Sequence, residues 1–459
     1  MATDRNPLIL LCAGGTGGHL FPAEALALAL QKRGAAIELA TDTRAAHFQF
    51  PARAVHLIPS ATLRGRDPLS LARTALLLAR GTLKAWSLIG GIRPAAVVGF
   101  GGYPTVPPLL AASWRGVPTV LHEQNGVMGR ANRLLAPRVS RIATGFPALK
   151  NLDARLQAKT VFTGNPLRPQ VLAAAAMPYA MPAPDGALKV LVFGGSQGAR
   201  VMAEIVPAAI ERIAPDIRAR LSIVQQARAE DLDAVRAVYA DLGVTADCAP
   251  FFADLPARMA AAHLIVSRSG ASTVAELAAI GRPAILVPLP HALDQDQAAN
   301  AGALEAAGGA IRIMQRDFTS QRLADEIVTL SGDPEQLVAM AAAAKSAGTL
   351  DAAERLADVV MRVGRLAPAP LTAFQIETEV LLLRLLEKYE KDQIRREIVE
   401  GPDESYIRID VLPRRLQAFI YEDGAGILGD SLDSRFEKYD YLSLTELRDA
   451  FLDVAAKAF

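Results

Sequence analysis

The sequence predicts an α/β protein of two doubly wound, Rossmann-like domains followed by a small C-terminal α+β module. From Leu8 to about Val360, short apolar runs alternate with Ala/Leu-rich helical stretches, the grammar of buried parallel strands and crossover helices. A strand, glycine loop and helix occur in succession twice, as LLCAGGTGGHLFPAEALALAL near residue 15 and LVFGGSQGARVMAEIVPAAI near residue 195. Past Arg365 the composition changes: LAPAPLT reads as a linker, and five of the eight tyrosines lie beyond it.

In chain order, LILLCA, AIELAT, AVVGF, PTVLHE and RIATGF read as strands of the first domain. LKVLVFGG, LSIVQQ, HLIVSRSG and PAILVPL read as strands of the second. Helices are expected over Ala23–Arg33 and Val274–Ile280. The boundary is placed near Val161–Pro169, giving domains over 1–163 and 164–365, with the last helix either staying in the second domain or crossing back to the first. Residues 366–371 link to the module at 372–459. There, Thr372–Glu400 is expected to be helical, Tyr406–Val411 and Leu416–Tyr421 to pair as strands, and Ser443–Ala458 to close as a helix whose Ser443 and Glu446 form a capping box.

The chain has 459 residues, 51% hydrophobic and 21% charged, enough for a large core without disulfides or metal staples. Cys12 and Cys248 sit in apolar surroundings and read as reduced, buried thiols of a cytosolic protein. The N-terminus lacks the pattern of a signal peptide, and no run approaches the roughly 18–20 apolar residues of a membrane span. The net charge of +1 hides an asymmetry. Pro370–Phe459 carries 12 Lys+Arg against 19 Asp+Glu, and the remainder 37 against 29. The basic part suits anionic ligands or an anionic surface.

Gly14, Gly15, Gly17 and Gly18 bracket Thr16 between a strand and a helix. Such a loop lets backbone N–H groups approach an anion at a helix start, though the same glycines also serve a tight structural turn. The spacing is neither the dinucleotide fingerprint nor a Walker loop. Ser196 and Gln197 add side-chain donors in the second loop, Gly194 to Gly198. His19 stands where open α/β sheets bind ligands and is able to accept a proton; alternatively it is structural. HEQN, 122–125, is a polar loop or a sugar-facing edge. SRSGASTVAEL presents a helix start near Ser272, with Glu276 either a ribose acceptor or an ordinary first-turn acid. Asp294-Gln295-Asp296 mimics a metal-binding pattern, but no metal and no cofactor is expected, because basic residues and helix starts already serve the anion.

Seven segments in register, AGGTGGHLFPA, GGYPTVPP, HEQNGVMGRAN, TGNPLR, GGSQGAR, SRSGASTVAEL and PLPHALDQDQAANA, resemble the MurG family over about Pro7 to Arg365. These are the transferases that move N-acetylglucosamine from UDP-GlcNAc to lipid I, making lipid II for peptidoglycan. The resemblance implies a GT-B fold, two Rossmann-like domains facing a cleft. It also implies inverting transfer to the C4 hydroxyl of the muramyl sugar, and a place in cell-wall biogenesis, cell shape and division. Carried over by motif, Thr16, Gly17 and Gly18 contact the donor and Asn125 reaches its sugar. Arg168 and Ser196 address the diphosphate. Phe252 stands where the family makes an aliphatic backbone contact to uracil. Ala271, Ser272, Thr273, Val274, Ala275 and Glu276 cap the phosphates, with Glu276 on the ribose, and Gln297 binds the sugar. His19 is the expected base and Glu123 the runner-up.

The acceptor implies peripheral docking at the cytoplasmic face of the inner membrane, with cell-wall synthesis proteins as further partners and no nucleic acid. Leu63–Trp86 offers a Leu/Ala helix with Arg64, Arg66, Arg73, Arg80 and Lys84 around it. It suits an anionic lipid surface, or else simply packs on the sheet. The alternatives are another UDP-sugar enzyme of this fold, a lipid glycosyltransferase or an epimerase, and a non-catalytic nucleotide-sugar-binding scaffold. The tail, 372–459, resembles nothing in this pattern.

Overall fold

The computed structural model describes residues 6–14, 17–45, 48–61, 67–183, 186–195, 198–290 and 295–366, and five strands between 394 and 439. The expected helices over 372–393 and 443–458, including the Ser443 capping box, lie outside the described residues.

The first sheet holds β1 (Leu8–Cys12), β2 (Ala36–Thr41), β3 (Ala54–Leu57), β4 (Ala96–Gly99), β5 (Thr119–Glu123), β6 (Arg141–Thr144) and β7 (Thr160–Phe162). Its order is β3-β2-β1-β4-β5-β6-β7, with parallel pairing throughout. Around it lie α1 (Gly17–Lys32), α2 (Pro68–Ile92), α3 (Val106–Trp114) and α4 (Arg130–Leu135). The second lobe begins with α5 (Pro169–Ala175). Its sheet holds β8 (Leu188–Phe193), β9 (Leu221–Gln226), β10 (Thr245–Ala249), β11 (Leu264–Ser267), β12 (Ala284–Leu286) and β13 (Ala310–Arg312), in the order β10-β9-β8-β11-β12-β13, again parallel. Its remaining helices are α6 (Arg200–Arg212), α7 (Pro215–Arg218), α8 (Leu232–Asp241), α9 (Leu255–Ala261), α10 (Ala271–Ile280), α11 (Asp296–Ala306), α12 (Ser320–Gly332) and α13 (Pro334–Ser346).

Both sheets reverse strand order beside their first strand, and the crevice above that switch point is where such sheets bind ligands. β1, β4 and β5 are buried along their whole length, which explains the continuous apolar runs of β1 and β4, while β5 carries the buried His122 and Glu123 at its C-terminal end. The final helix, α14 (Ala352–Val363), crosses back to the first lobe. Leu356, Ala357, Val360 and Met361 join Ile9, Leu11 and Leu26 in one core, and Arg33 pairs with Glu354 and Asp358. α1 starts at Gly17, six residues before the expected Ala23, so the first glycine loop opens directly into the helix.

The C-terminal unit, 367–459, contains an antiparallel sheet in the order β14-β15-β16-β17-β18, from β14 (Ile394–Glu400), β15 (Ser405–Val411), β16 (Leu416–Ile420), β17 (Ala425–Leu428) and β18 (Glu437–Tyr439). The expected strand pair is present, but the expected helix to Glu400 is corrected. Ile394–Glu400 is a strand, paired antiparallel along its whole length with Ser405–Val411, a tertiary pairing that the local pattern of IRREIVE does not announce.

Candidate functional site

A cleft of about 930 Å³ opens between the lobes of the first unit. Three helix starts line it: Gly17 and Gly18 of α1, Arg200 of α6, and Ala271, Ser272 and Thr273 of α10. Neither Ala199 nor Gly270 caps its helix through a side chain, so the first N–H groups of α6 and α10 are left for another acceptor. The Ser272 hydroxyl is buried without a partner at the same place. Gly194 is required by close approach, since a Cβ there would lie 2.2 Å from the Ala199 nitrogen. Thr16, Ser196 and Asp294 lie outside the described residues.

Arg168 ties the lobes together. Its guanidinium lies 3.9 Å over the Phe21 ring of α1 and pairs with Glu276 of α10 at 3.2 Å. Burial pushes the Glu276 carboxyl above the usual range, and Arg168 opposes that rise. Glu276, expected on the ribose, is 8% exposed and holds Arg168 while still lining the cleft. Phe252 also lines the cleft, with Arg258 stacked 4.2 Å over its ring. Gln297 lines it too, and its Oε1 accepts from the Leu289 N–H. Val274 and Ala275 instead line a small second cavity on the other face of α10.

His19 and Asn125 line the cleft from the first lobe. Desolvation lowers the His19 pKa; the Gln124 side chain and the Phe100 carbonyl favour its charged form, and Arg44 disfavours it. The residue is half-buried, yet its Nδ1 is fully covered and without a partner. Glu123 has another place than the one expected of a base. It is 2% exposed, and its two oxygens accept from the Asn125 N–H and Nδ2, the Gly129 N–H and Asn132 Nδ2, at 2.7–3.2 Å. Its carboxylate organises the loop that presents Asn125. Asn300 of α11 completes that loop across the lobes. It accepts from the Gly126 N–H and donates to Asn125 Oδ1 and the Ser269 carbonyl.

Sequence reasoning missed Arg268, which lines the cleft and is held by the Val287 and Pro288 carbonyls and Gln315 Oε1. It also missed Phe21, Gln226 and the 68%-exposed Phe251 at the rim. Arg268 stands in the SRSGASTVAEL segment, directly after Ser267 at a strand end, and a cation at that place is the signal that could have found it.

Arg73, Arg80 and Lys84 lie away from the cleft, on the exposed side of α2. Among them stand the exposed Leu76 (58%) and Leu83 (72%), and Trp86 is close by. The opposite side, with Thr74, Thr82, Ala85 and Ile89, is buried. Leu63, Arg64 and Arg66 lie outside the described residues. No helix among the described residues is long and apolar enough to cross a membrane.

The glycosyltransferase family 28 N-terminal domain matches residues 9–144, and the C-terminal domain of that family matches 189–356. A Rhodopseudomonas palustris (strain BisB18) protein named UDP-N-acetylglucosamine--N-acetylmuramyl-(pentapeptide) pyrophosphoryl-undecaprenol N-acetylglucosamine transferase is 62% identical over 359 residues, 78% of this chain and 96% of its own. The crystal structure of Acinetobacter baumannii MurG superposes with a TM-score of 0.63 at 30% identity, over 78% of this chain and 99% of that one. A UDP complex of S. aureus MnaA shares the fold at 14% identity and a TM-score of 0.54. The two Rossmann-like lobes are those of a GT-B enzyme, and the chain belongs to glycosyltransferase family 28, within it to the MurG family.

Proposed function

We propose that the protein transfers N-acetylglucosamine from UDP-GlcNAc to the C4 hydroxyl of the muramyl sugar of lipid I, with inversion, forming lipid II. The observation that carries this reading is the convergence of three helix starts on one interlobe cleft, beside Arg168 and Arg268. A diphosphate seated there meets N–H groups and guanidinium charge, which stabilise the negative charge that grows as UDP leaves. The acceptor oxygen bonds to the anomeric carbon, the bond from that carbon to the diphosphate breaks, and His19 takes the hydroxyl proton. The family motif assigns Thr16 to the donor and Ser196 to its diphosphate, and Gly17, Gly18 and Ala271 to Thr273 surround the phosphates. Val274 and Ala275 support that helix start from behind. Phe252 addresses the uracil, Glu276 the ribose, and Asn125 and Gln297 the sugar. Supplying UDP-GlcNAc and detergent-dispersed lipid I to the purified chain tests this. UDP appears only with both present; UDP or epimerised sugar formed without lipid rejects it, as does donor binding with no turnover.

The lipid acceptor requires a surface to meet it on, and the exposed face of α2 supplies apolar side chains ringed by cations. Docking on the cytoplasmic face of the inner membrane follows. Each cation near an anionic surface is worth about 1 kcal/mol. Reversing Arg73, Arg80 and Lys84 together to Glu therefore weakens sedimentation with anionic vesicles by more than about 100-fold. Unchanged sedimentation assigns α2 to packing alone.

A further inference from the structure

Behind His19 the hydrogen-bonding character of each group fixes that of the next. The Gly164 carbonyl only accepts, and His122 Nε2 lies 3.0 Å from it, so Nε2 carries the His122 proton. The lone pair of His122 is then on Nδ1, and Gln124 Nε2 lies 3.1 Å away. The same amide nitrogen lies 3.3 Å from the His122 carbonyl, which also only accepts. These two contacts orient the Gln124 amide, with both N–H groups directed at His122 and Oε1 facing away from it. Gln124 is 2% exposed and His122 0%. Gln124 Oε1 and His19 Nδ1 are both buried and both lack a partner. The Gln124 side chain sits against the His19 ring, and the other polar neighbour of that ring, the Phe100 carbonyl, is also an acceptor.

We infer that His122 and Gln124 are positioning residues that set the tautomer of His19. Gln124 Oε1 accepts the Nδ1–H of His19, leaving its Nε2 unprotonated for the acceptor hydroxyl. When Nε2 takes the substrate proton, the imidazolium still has an acceptor for its Nδ1–H, so no group has to turn during the reaction. The chain is anchored at Gly164, in the segment that joins the lobes. Its φ is +78°, and a Cβ there would meet Thr349 at 2.7 Å, so the anchor does not drift. The catalytic consequence rests on His19 being the base; the tautomer does not.

The test uses the full chain labelled with 15N-histidine, in proton–nitrogen correlation spectra at pH 8. The His19 signals are identified by their loss in His19→Ala. Wild type is expected to show a protonated Nδ1 and an unprotonated Nε2, and an Nε2–H form overturns the inference whatever the Gln124 variants do. Gln124→Leu should lower kcat by about 10–100-fold, part of the full general-base contribution, and keep the donor KM within about threefold. Gln124→Glu retains an acceptor toward His19 and should recover part of that loss. If Gln124→Leu folds and leaves both tautomer and kcat unchanged, the relay is rejected. If the tautomer is as stated but His19→Ala keeps its kcat, the relay stands and the assignment of the base falls.

Discussion

The two lobes share strand order and glycine-loop placement, yet each holds its side of the cleft by opposite chemistry. In the first lobe the buried polar groups are carboxylate, amide and imidazole: Glu123 with its four donors, Gln124, His122 and Asn132. In the second, beside the buried Gln225, Gln226, His263, Glu276 and Asn300, stand arginines held by backbone carbonyls; no arginine is buried among the described residues of the first lobe. Arg282, 1% exposed and set behind the cleft lining, donates to the carbonyls of Ala260, Ile280, Gly281, Met177 and Pro178. Arg268 does the same with Val287 and Pro288. An arginine held by carbonyls alone keeps its positive charge, because no carboxylate cancels it. Imidazoles buried among amides are kept neutral and able to accept a proton. The shared fold therefore presents one wall suited to moving a proton and one suited to binding a diphosphate.

This contrast breaks most visibly at His19. His19→Ala is expected to lower kcat by roughly 10²–10⁴-fold while the donor dissociation constant, measured by calorimetry, stays within about threefold. A loss shared equally between the two would make His19 a binding residue and erase the division between the walls.

The pH dependence of stability sharpens the contrast. Burial pushes His122 down to about 4 from its ordinary 6.5, and the nearby His19 pushes the same way against the Gly164 carbonyl. A basic group depressed on folding binds its proton more weakly in the native state. Its contribution is full above pH 6.5 and is lost as pH falls toward 4, an effect of about 3 kcal/mol. Urea unfolding of wild type and His122→Gln from pH 4 to 7 should show this slope in wild type and a shallower one in the variant. Equal slopes would mean that the first lobe does not depend on a neutral imidazole.

The smallest effect is expected at Glu276, on the other wall. Glu276→Gln removes the charge that Arg168 pairs with and should raise the donor KM by about tenfold, or about 1.4 kcal/mol, with kcat within threefold. A fall in kcat instead would assign Glu276 to the transition state rather than to donor binding.

The strands that the apolar runs announced, β1, β2, β4, β5, β6, β8, β9, β11 and β12, are the inner strands of the two sheets. Those that went unannounced, β3, β7, β10 and β13, are the four edges. An inner parallel strand is covered on both faces and is therefore rich in apolar residues, whereas an edge strand is partly solvated. β3 alternates half-buried and exposed residues, and β10 exposes its first three. The site divides in the same way. His19, Asn125, Arg168, Glu276 and Gln297 stand in local motifs and reach the cleft, as do Phe21 and Arg268 of the same motifs, whereas Gln226, Phe251 and Phe252 reach it from outside them.

The sequence by itself determined the two doubly wound lobes, the glycine loops and the set of polar residues at the strand ends, because hydrophobic period and glycine placement act over a few neighbouring residues. Only the tertiary structure decided that α14 returns to the first lobe, that Glu276 holds Arg168 across 108 residues, and that Glu123 is enclosed while His19 reaches the cleft. Which donor finds which acceptor, and which group loses its water, depends on segments far apart in the chain packing side by side.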